Sequence, residues 1–279
     1  MTTYLIGDIH GCYNEFFTLL KKINFNSKKD ILWITGDIIA RGPDSIKILY
    51  FLYYLKKSIK LVLGNHDLYF IALSLGIRCS NNSYDKKLLK LLKHTTILYL
   101  IESWLIYQPL VQFDPEKKIL MTHAGITPQW DNIKLILSVA HEVKNIITNS
   151  YFNKKFFSYI YSKTKPIVNW NNNKLQGFER YNFIINAFTK MRYCYPNGEL
   201  EMSSKDIPDN VILPLKPWFL FKNPIYKKYK IFFGHWSALE GKYTPYNIIG
   251  LDTGCCWGNK LTIFSLEEKK FYSIKCNKQ

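Results

Sequence analysis

Short apolar segments alternate with helical patterns over the first 65 residues of the chain. Residues 3–6, 31–35 and 59–63 are mainly apolar, and each run leads into a glycine followed by Asp or Asn, which predicts buried strands. Between these runs, apolar residues recur at helical spacing over 12–23 and 45–57, and Asp44 can cap the second helix. This order predicts a βαβαβ unit, in which the strands are parallel and the crossovers right-handed.

The rest of the chain predicts further strands on either side of a long insertion. Residues 110–113 and 119–122 flank a turn and predict a hairpin, and residues 230–233 predict another strand. Three later runs predict closing antiparallel strands, at 248–251, 261–264 and 270–274. The sequence between the hairpin and residue 230 has helical and irregular character. We therefore expect one domain over residues 1–279, with an insertion at about 131–229 that covers the active site.

Polar side chains follow the predicted strands where each strand ends. The carboxyl ends of parallel strands meet at one edge of a sheet, and such folds bind their ligands there. The motifs are GDIHG (7–11), GDIIARG (36–42), GNHD (64–67), HAG (123–125) and GHW (234–236). The residues in them that could bind metal are Asp8, His10, Asp37, Asn65, His123 and His235.

These side chains offer oxygen and nitrogen ligands and no thiolate, which suits Mn, Fe, Co or Zn. Six ligands are too many for one tetrahedral ion, but they fit two ions that share a carboxylate and keep positions open for water and substrate. Pairs of metal ions are a known means of hydrolysing phosphate bonds. The motifs therefore predict a dinuclear metal site for phosphate chemistry.

Composition excludes some classes of protein and leaves one alternative open. The apolar fraction of 47% is ample for a core, and no uncharged apolar stretch is long enough for a membrane span. The start of the chain lacks a secretory signal and no cysteine pair has CxxC spacing, so we expect reduced thiols and a cytoplasmic protein without membrane contact.

The net charge of +17 admits a nucleic-acid-binding protein as the alternative from another class. However, 34 of the 38 basic residues are lysines dispersed along the chain, which is typical of a solvated surface. We therefore expect no DNA partner, although the charge could attract an anionic substrate.

In their order and spacing, the motifs resemble those of the calcineurin-like metallophosphoesterases, in the phosphoprotein-phosphatase branch. Further segments resemble the bacterial symmetrical bis(5′-nucleosyl)-tetraphosphatases, and the likeness covers essentially the whole chain. These segments are HAGITPQW (123–130), NAFTKMRYCYPNGEL (186–200), LKPWF (215–219), FGHWSALEG (233–241) and LDTGCCWG (251–258). The resemblance implies an α/β fold with two mixed β-sheets packed as a sandwich flanked by helices, and with the metal site at the carboxyl ends of the strands.

The resemblance also implies roles for individual residues. One metal ion would be bound by Asp8, His10 and Asp37, and the second by Asp37, Asn65, His123 and His235, with Mn or Co expected and Fe or Zn possible. A hydroxide activated by the two ions would attack diadenosine tetraphosphate at its centre and give two ADP. Related dinucleoside polyphosphates, and RNA 5′ ends capped by a nucleoside tetraphosphate, would be further substrates.

Other residues are candidates for catalysis and substrate binding. His66 would be the general acid, Arg41 would clamp a phosphate, and Asp67 would support His66 or the second metal ion by hydrogen bonding. Among the four arginines of the chain, Arg192 and Arg180 are candidate phosphate ligands, with a structural ion pair as the alternative, and Arg78 looks peripheral. Trp236 and Asp252 are candidate substrate contacts. For Trp130, Trp218, Trp236 and Trp257 we favour a core position over stacking on adenine.

One position departs from the protein-phosphatase pattern. That pattern reads GDxxDRG, and its second Asp orients the catalytic His, but this chain has Ala40 there. A serine alkoxide leaves poorly without an acid, whereas a terminal diphosphate, whose last pKa is about 6, leaves well. Ala40 therefore favours anhydride cleavage over the alternative activity, that of a phosphoserine/threonine phosphatase.

Overall fold

The computed structural model describes residues 1–77, 83–162, 165–171 and 174–276, and two mixed β-sheets form its centre. Arg78 lies outside the described residues. The strands are β1 (Thr3–Ile6), β2 (Ile31–Ile34), β3 (Ile59–Leu61), β4 (Val111–Asp114), β5 (Ile119–Thr122), β6 (Tyr193–Cys194), β7 (Leu200–Glu201), β8 (Lys216–Pro217), β9 (Lys230–Phe233), β10 (Ile248–Gly250), β11 (Lys260–Ser265) and β12 (Lys270–Lys275). The α-helices are α1 (Tyr13–Lys22), α2 (Ser45–Tyr54), α3 (Asn65–Ser74), α4 (Ser83–Leu91), α5 (Thr95–Ser103), α6 (Ile133–Thr148), α7 (Asn153–Ile160), α8 (Gly177–Thr189) and α9 (Pro224–Lys228).

The first sheet has the order β12-β11-β1-β2-β3 and contains the predicted βαβαβ unit. Strands β1, β2 and β3 are parallel, as expected, and β11 runs antiparallel to β1. Helix α2 ends at Tyr54, three residues before the predicted end. Asp44 is its N-cap residue, but its side chain makes no capping hydrogen bond and its carboxylate lies 2.9 Å from the Lys47 ammonium.

The second sheet has the order β10-β9-β5-β4. The predicted hairpin is present as the antiparallel pair β4 and β5, and β9 lies parallel to β5. The expectation that residues 248–251 form an antiparallel closing strand is wrong, because β10 pairs with β9 in parallel. The connection over residues 234–247 carries the chain back to the starting end of β9 before β10 begins. The direction of β10 is thus fixed by a crossover that its own three residues do not encode.

The two sheets pack face to face through a compact apolar layer. Leu5, Trp33 and Val62 from the first sheet and its strand ends meet Met121 and Phe232 from the second. In β1, the neighbours of Leu5 point to the opposite face and join the larger core under the helices. Both faces of β1 are therefore buried, as expected for a strand in a sheet covered on both sides. The predicted α/β sandwich fold is confirmed.

The segment between β5 and β9 contains helices α6 to α9 and a small sheet with the order β7-β6-β8. The sequence did not predict this sheet, because strands of two residues are too short to show a period. Apolar residues of α6 and α8, among them Val143 and Phe183, join the larger core. Over the described part of the chain, no helix has the length and apolarity needed to cross a membrane.

Candidate metal centre and active site

Two groups of side chains at the carboxyl ends of the strands could each hold a metal ion. The ligand atoms of His10, Asp37 and His66 lie within 4.8 Å of one another, as do those of Asp8, Asp37 and His123. Asp37 belongs to both groups, which is the arrangement that a shared carboxylate requires. The two groups overlap the expected ligand sets, and His10 Nε2 also lies 4.0 Å from Asp8 Oδ2 and 3.8 Å from Asp37 Oδ2, so that the expected set of Asp8, His10 and Asp37 lies together as well.

Backbone carbonyls orient the histidine rings of this cluster. His123 Nδ1 is 2.8 Å from the Thr35 oxygen, and His123 Nε2 lies 3.1 Å from Asn65 Oδ1 and 3.4 Å from an Asp37 oxygen. His10 Nδ1 is 3.2 Å from the Ile39 oxygen. A carbonyl bonded to one ring nitrogen fixes the ring and leaves the other nitrogen as the potential metal ligand.

His235 is placed differently from the other histidines. Its Nε2 is 3.1 Å from the Lys190 oxygen, and its ring centroid lies 5.1 Å from that of His123. Its backbone N–H donates to Asp8 Oδ2 at 3.0 Å. Among the described residues, His235 therefore flanks the two compact groups without joining either one.

The backbone is strained at the cluster and leaves little room for larger residues. His10, Asp37 and His235 have φ values of 48°, 49° and 64°, a region that non-glycine residues seldom occupy. Such conformations persist at functional sites where the surrounding structure enforces them. A Cβ atom at Gly64 would collide with the Asp37 carboxylate, and one at Gly234 with that of Asp8. These two motif glycines therefore make space for the carboxylates beside them.

Asp67 supports the cluster from behind. Its carboxylate accepts hydrogen bonds from the backbone N–H groups of Asp37 (2.7 Å), Ile38 (3.1 Å) and Gly64 (3.0 Å). Asp67 is fully buried and does not line the cleft, so it is a positioning residue that supports the cluster by hydrogen bonding. Burial, and then the charge of Asp37, raise the pKa of Asp67 to about 7.

Burial of so many ionisable groups shifts their pKa values strongly. Burial, and then the nearby Asp252, raise the pKa of Asp8 well above its usual range. Burial also tends to raise the pKa of Asp37, but His123 and the other neighbouring imidazoles outweigh it and hold that pKa well below its usual range. Burial lowers the pKa of His66 to about 3, so its imidazole is neutral near pH 7.

The donor set fits divalent cations. Burial disfavours the charged form of His123, but Asp37 and then Asp8 outweigh it and raise its pKa to about 10. The proton on His123 thus serves as the counter-charge of two buried carboxylates. Buried charges need such compensation, and metal ions at this place would supply it.

A cleft of about 530 Å³ opens directly over the cluster. Arg41 and Arg192, for which the sequence predicts contacts to phosphate, line this cleft. Arg192 Nη2 donates to the His235 oxygen at 3.2 Å, whereas Arg192 Nε is buried and has no hydrogen-bond partner among the described residues. Burial lowers the pKa of Arg192, partly offset by Asp252. An unpaired buried donor of this kind suits an anionic ligand.

The other predicted substrate residues divide between the cleft and the protein interior. Trp236 and Asp252 line the cleft. Trp236 is nevertheless buried, and its Nε1 donates to the Asp206 oxygen at 3.3 Å. Arg180 does not reach the cleft, because its guanidinium pairs with both Glu142 oxygens, at 2.6 and 2.9 Å. Its assignment as a phosphate ligand is therefore replaced by the structural ion pair.

Sequence reasoning missed several residues of the cleft. Lys190 and Lys205 line it, but nothing in the sequence separates them from the other lysines. Lys87 in α4 donates from Nζ to the Arg41 and Gly42 oxygens, both at 2.8 Å, and so holds the loop that carries Arg41. Trp257 also lines the cleft, although the sequence favoured a core position for it. Only the folded structure separates these residues from others of their type.

Comparison with known proteins places this site in a family. The sequence profile of the calcineurin-like phosphoesterases matches residues 1–236. The chain is 46% identical over 279 residues to the symmetrical bis(5′-nucleosyl)-tetraphosphatase of Enterobacter sp. (strain 638), and the alignment covers 100% of this chain and 96% of that protein. It is 48% identical over 272 residues to the protein of the same name from Proteus mirabilis (strain HI4320), and this alignment covers 98% of this chain and 97% of that protein.

A solved structure shows the same fold. The crystal structure of a candidate diadenosine tetraphosphatase aligns with a TM-score of 0.63 and 21% identity, over 99% of this chain and 93% of the other. Enzymes of the family use two divalent metal ions, for which the described chain has candidate ligand groups. The chain therefore belongs to the calcineurin-like phosphoesterases, in the group of the symmetrical bis(5′-nucleosyl)-tetraphosphatases.

Proposed function

We propose that this protein hydrolyses diadenosine tetraphosphate at its central anhydride and releases two molecules of ADP. The observation that carries the proposal is the position of Asp37, which both ligand groups share at the base of a cationic cleft. The relatives named for this activity match the chain over its full length at about 46% identity. Other dinucleoside polyphosphates, and RNA 5′ ends with a nucleoside-tetraphosphate cap, contain the same linkage and are further candidate substrates.

The metal ligands in this proposal are the six predicted residues, namely Asp8, His10, Asp37, Asn65, His123 and His235. Mn and Co are the proposed ions, and the donor set also suits Fe and Zn. When bound, divalent ions at this place would supply Lewis-acid polarisation of the phosphate and a nucleophile at neutral pH. Asp67 and the carbonyls of Thr35 and Ile39 hold the ligands in position through the hydrogen bonds described above.

The two arginines of the cleft would bind the phosphate chain on either side of the central anhydride. Arg41 lies near His66 and contributes to lowering the pKa of its imidazole. Arg192 donates from Nη2 to the backbone oxygen of His235, and its buried Nε has no hydrogen-bond partner among the described residues. A planar guanidinium can hold two phosphate oxygens at once, which fixes both distance and direction. One clamp on each side of the cluster would place the middle of the tetraphosphate over it.

His66 would stabilise the departing ADP. Its imidazole is neutral, so it can donate a hydrogen bond to the leaving oxygen but carries no extra proton to release near pH 7. Ala40, which stands where the protein-phosphatase pattern has Asp, is buried, and its methyl group cannot accept a hydrogen bond from the imidazole. A terminal diphosphate with a last pKa of about 6 leaves without strong acid assistance. This arrangement therefore suits an anhydride better than a serine or threonine phosphoester.

We also propose that the chain acts as one domain in the cytoplasm, and that residues 131–229 form a cover over the active site. In support, Lys190, Arg192 and Lys205 from this segment line the cleft. Their charges would attract the polyphosphate before it reaches the metal centre.

Product analysis tests the proposed function. Purified protein, stripped of metal, is incubated with diadenosine tetraphosphate with and without Mn or Co, and the nucleotides are separated. ADP as the only product, formed only with added metal, is expected. ATP plus AMP would overturn the position of cleavage. Turnover of a phosphopeptide without cleavage of the dinucleotide would assign the chain to the protein phosphatases instead.

A further inference from the structure

Trp257 is exposed to solvent, whereas the other tryptophans are buried or only partly exposed. All seven tryptophans lie in described residues, and Trp257 is 53% exposed, whereas Trp130, Trp218 and Trp236 are buried. A large aromatic side chain left half in water beside a cleft is more typical of a binding surface than of a core.

The loop that carries Trp257 is fixed in place. The N–H groups of Trp257 and Asn259 both donate to the Gly254 oxygen, at 3.0 and 3.1 Å, and the Asn259 oxygen accepts from Cys276 N–H at 2.7 Å. The preceding Cys255 and Cys256 are buried and anchor the loop in the core. The indole ring is therefore presented on a rigid support, which lowers the entropy lost when a ligand stacks on it.

The indole lies between the metal cleft and a second cavity. It lines the cleft of about 530 Å³ over the metal cluster and also an adjoining cavity of about 500 Å³. The Arg41 guanidinium lies over the ring, with Cζ 4.6 Å from the ring centroid. The polar residues Glu240 and Asn259 also line the adjoining cavity. A phosphate held by Arg41 would thus lie next to the indole, and the group attached to that phosphate would extend toward this cavity.

We propose that Trp257 is the stacking platform for one nucleoside of the substrate, with the base in the adjoining cavity and Asn259 beside its polar edge. This proposal rests on the proposed function and deepens it, because it explains how a nucleoside is selected at a site whose chemistry needs only phosphates. Every base has a π-face, so an indole platform accepts different bases. An asparagine amide can pair with both N6 and N7 of adenine, which would favour adenine among them.

Binding of product-like ligands tests the platform separately from turnover. ADP and inorganic pyrophosphate share the diphosphate, but only ADP carries a base. In Trp257→Ala the affinity for ADP relative to pyrophosphate is expected to fall about tenfold, and Trp257→Phe should restore most of it. Tyr54→Ala is the matched control, because Tyr54 is an aromatic residue that is 83% exposed and outside the cleft. The same ratio of ADP affinity to pyrophosphate affinity in the wild type and all three variants would overturn the proposal.

Two further readouts keep the test decisive. In the wild type, ADP should protect tryptophan fluorescence from acrylamide quenching and pyrophosphate should not, which requires no variant to fold. Equal protection by both ligands would count against the platform. In steady-state hydrolysis of diadenosine tetraphosphate, Trp257→Ala should raise KM more than it lowers kcat. Failure of the wild type to cleave this substrate would reject the proposed function, whereas cleavage with unchanged ADP selectivity in the variant would reject only the platform.

Discussion

The cluster of candidate metal ligands and the outer wall of the cleft, to which Lys190 and Lys205 belong, differ in how they are built. The cluster sits on short loops at the ends of parallel strands, with left-handed backbone at His10, Asp37 and His235 and buried carboxylates that need a counter-charge. The outer wall takes Lys190 and Lys205 from the segment between β5 and β9, and Lys205 is exposed. Positions fixed to a fraction of an ångström are needed where bonds break, while charges that attract a polyphosphate can act through flexible side chains. The two regions should therefore respond differently to mutation.

The largest effect is expected at the shared carboxylate. Asp37→Asn removes the charge common to both ligand groups, so kcat/KM for diadenosine tetraphosphate should fall by at least about a thousandfold. Bound metal, measured by elemental analysis of the purified protein, should fall as well. Asp114→Asn in the surface hairpin is the control. Activity within about tenfold of the wild type would contradict the expected difference, because substitution in the cluster would then cost no more activity than substitution in the outer wall.

A smaller loss is expected at His66. His66→Ala should lower kcat about a hundredfold, at the weak end of the range for acid catalysts, because the leaving diphosphate needs little help. KM should change much less. His141→Ala is the control, since His141 lies on the exposed face of α6 and bonds Asn145. A loss comparable to that of Asp37→Asn would contradict the neutral hydrogen-bonding role given to this imidazole.

The outer wall should affect binding rather than turnover. Lys205→Ala should raise KM severalfold and leave kcat nearly unchanged, because one charge-assisted contact to a phosphate is removed from a solvated position. The difference between variant and wild type should shrink at high salt, which screens such contacts. Lys216→Ala removes an exposed lysine that does not line the cleft and serves as the control. An equal change in kcat would place Lys205 with the cluster instead of with the wall.

Arg180 distinguishes a role in the stability of the segment between β5 and β9 from a role in substrate binding. Arg180→Ala should lower the free energy of unfolding by about 1 kcal/mol, between the values for exposed and for buried charge-assisted pairs. Urea denaturation measures this loss, and Glu142→Ala should produce a similar one because it breaks the same pair. The KM for diadenosine tetraphosphate should stay at the wild-type value. A KM that is raised in Arg180→Ala but not in Glu142→Ala would show that Arg180 does contact the substrate.

The smallest effect is expected from a charge outside both regions. Burial tends to raise the pKa of Glu267, but the Thr3 N–H and Lys117 outweigh it and lower that pKa below 4.5. A carboxyl group whose pKa is lower in the folded than in the unfolded protein stabilises the fold fully at pH values above its unfolded-state pKa. This stabilisation is lost as the pH falls through its folded-state pKa. The difference in unfolding free energy between wild type and Glu267→Gln should thus be constant near pH 6 and shrink below pH 4.5. A difference that grows on acidification would reverse the sign of this interaction.

The same contrast explains how much the sequence could predict. Strands β1, β5 and β9 were predicted with the correct bounds, because short apolar runs that lead directly into a polar motif have few other structural solutions. The direction of β10 was not, since a crossover outside the strand sets it. Lys190 and Lys205 could not be identified among 34 lysines, and the exposure of Trp257 depends on how the chain packs around it. The residues of local motifs could thus be predicted from the sequence, whereas cleft residues that come from distant segments could not.

The position of β1 in its sheet has a consequence for the biosynthesis of the protein. Tyr4 in β1 is paired with Leu32 on one side and with Ser265 of β11 on the other. The ribosome therefore releases the strand that leads to Asp8 long before the partner that closes its second edge. Until residues near 265 emerge, β1 presents unpaired backbone groups to other chains, and the unfinished sheet is prone to aggregate. We expect that nascent chains arrested before β11 cannot hold Asp8 in its final place, so that metal loading follows completion of synthesis.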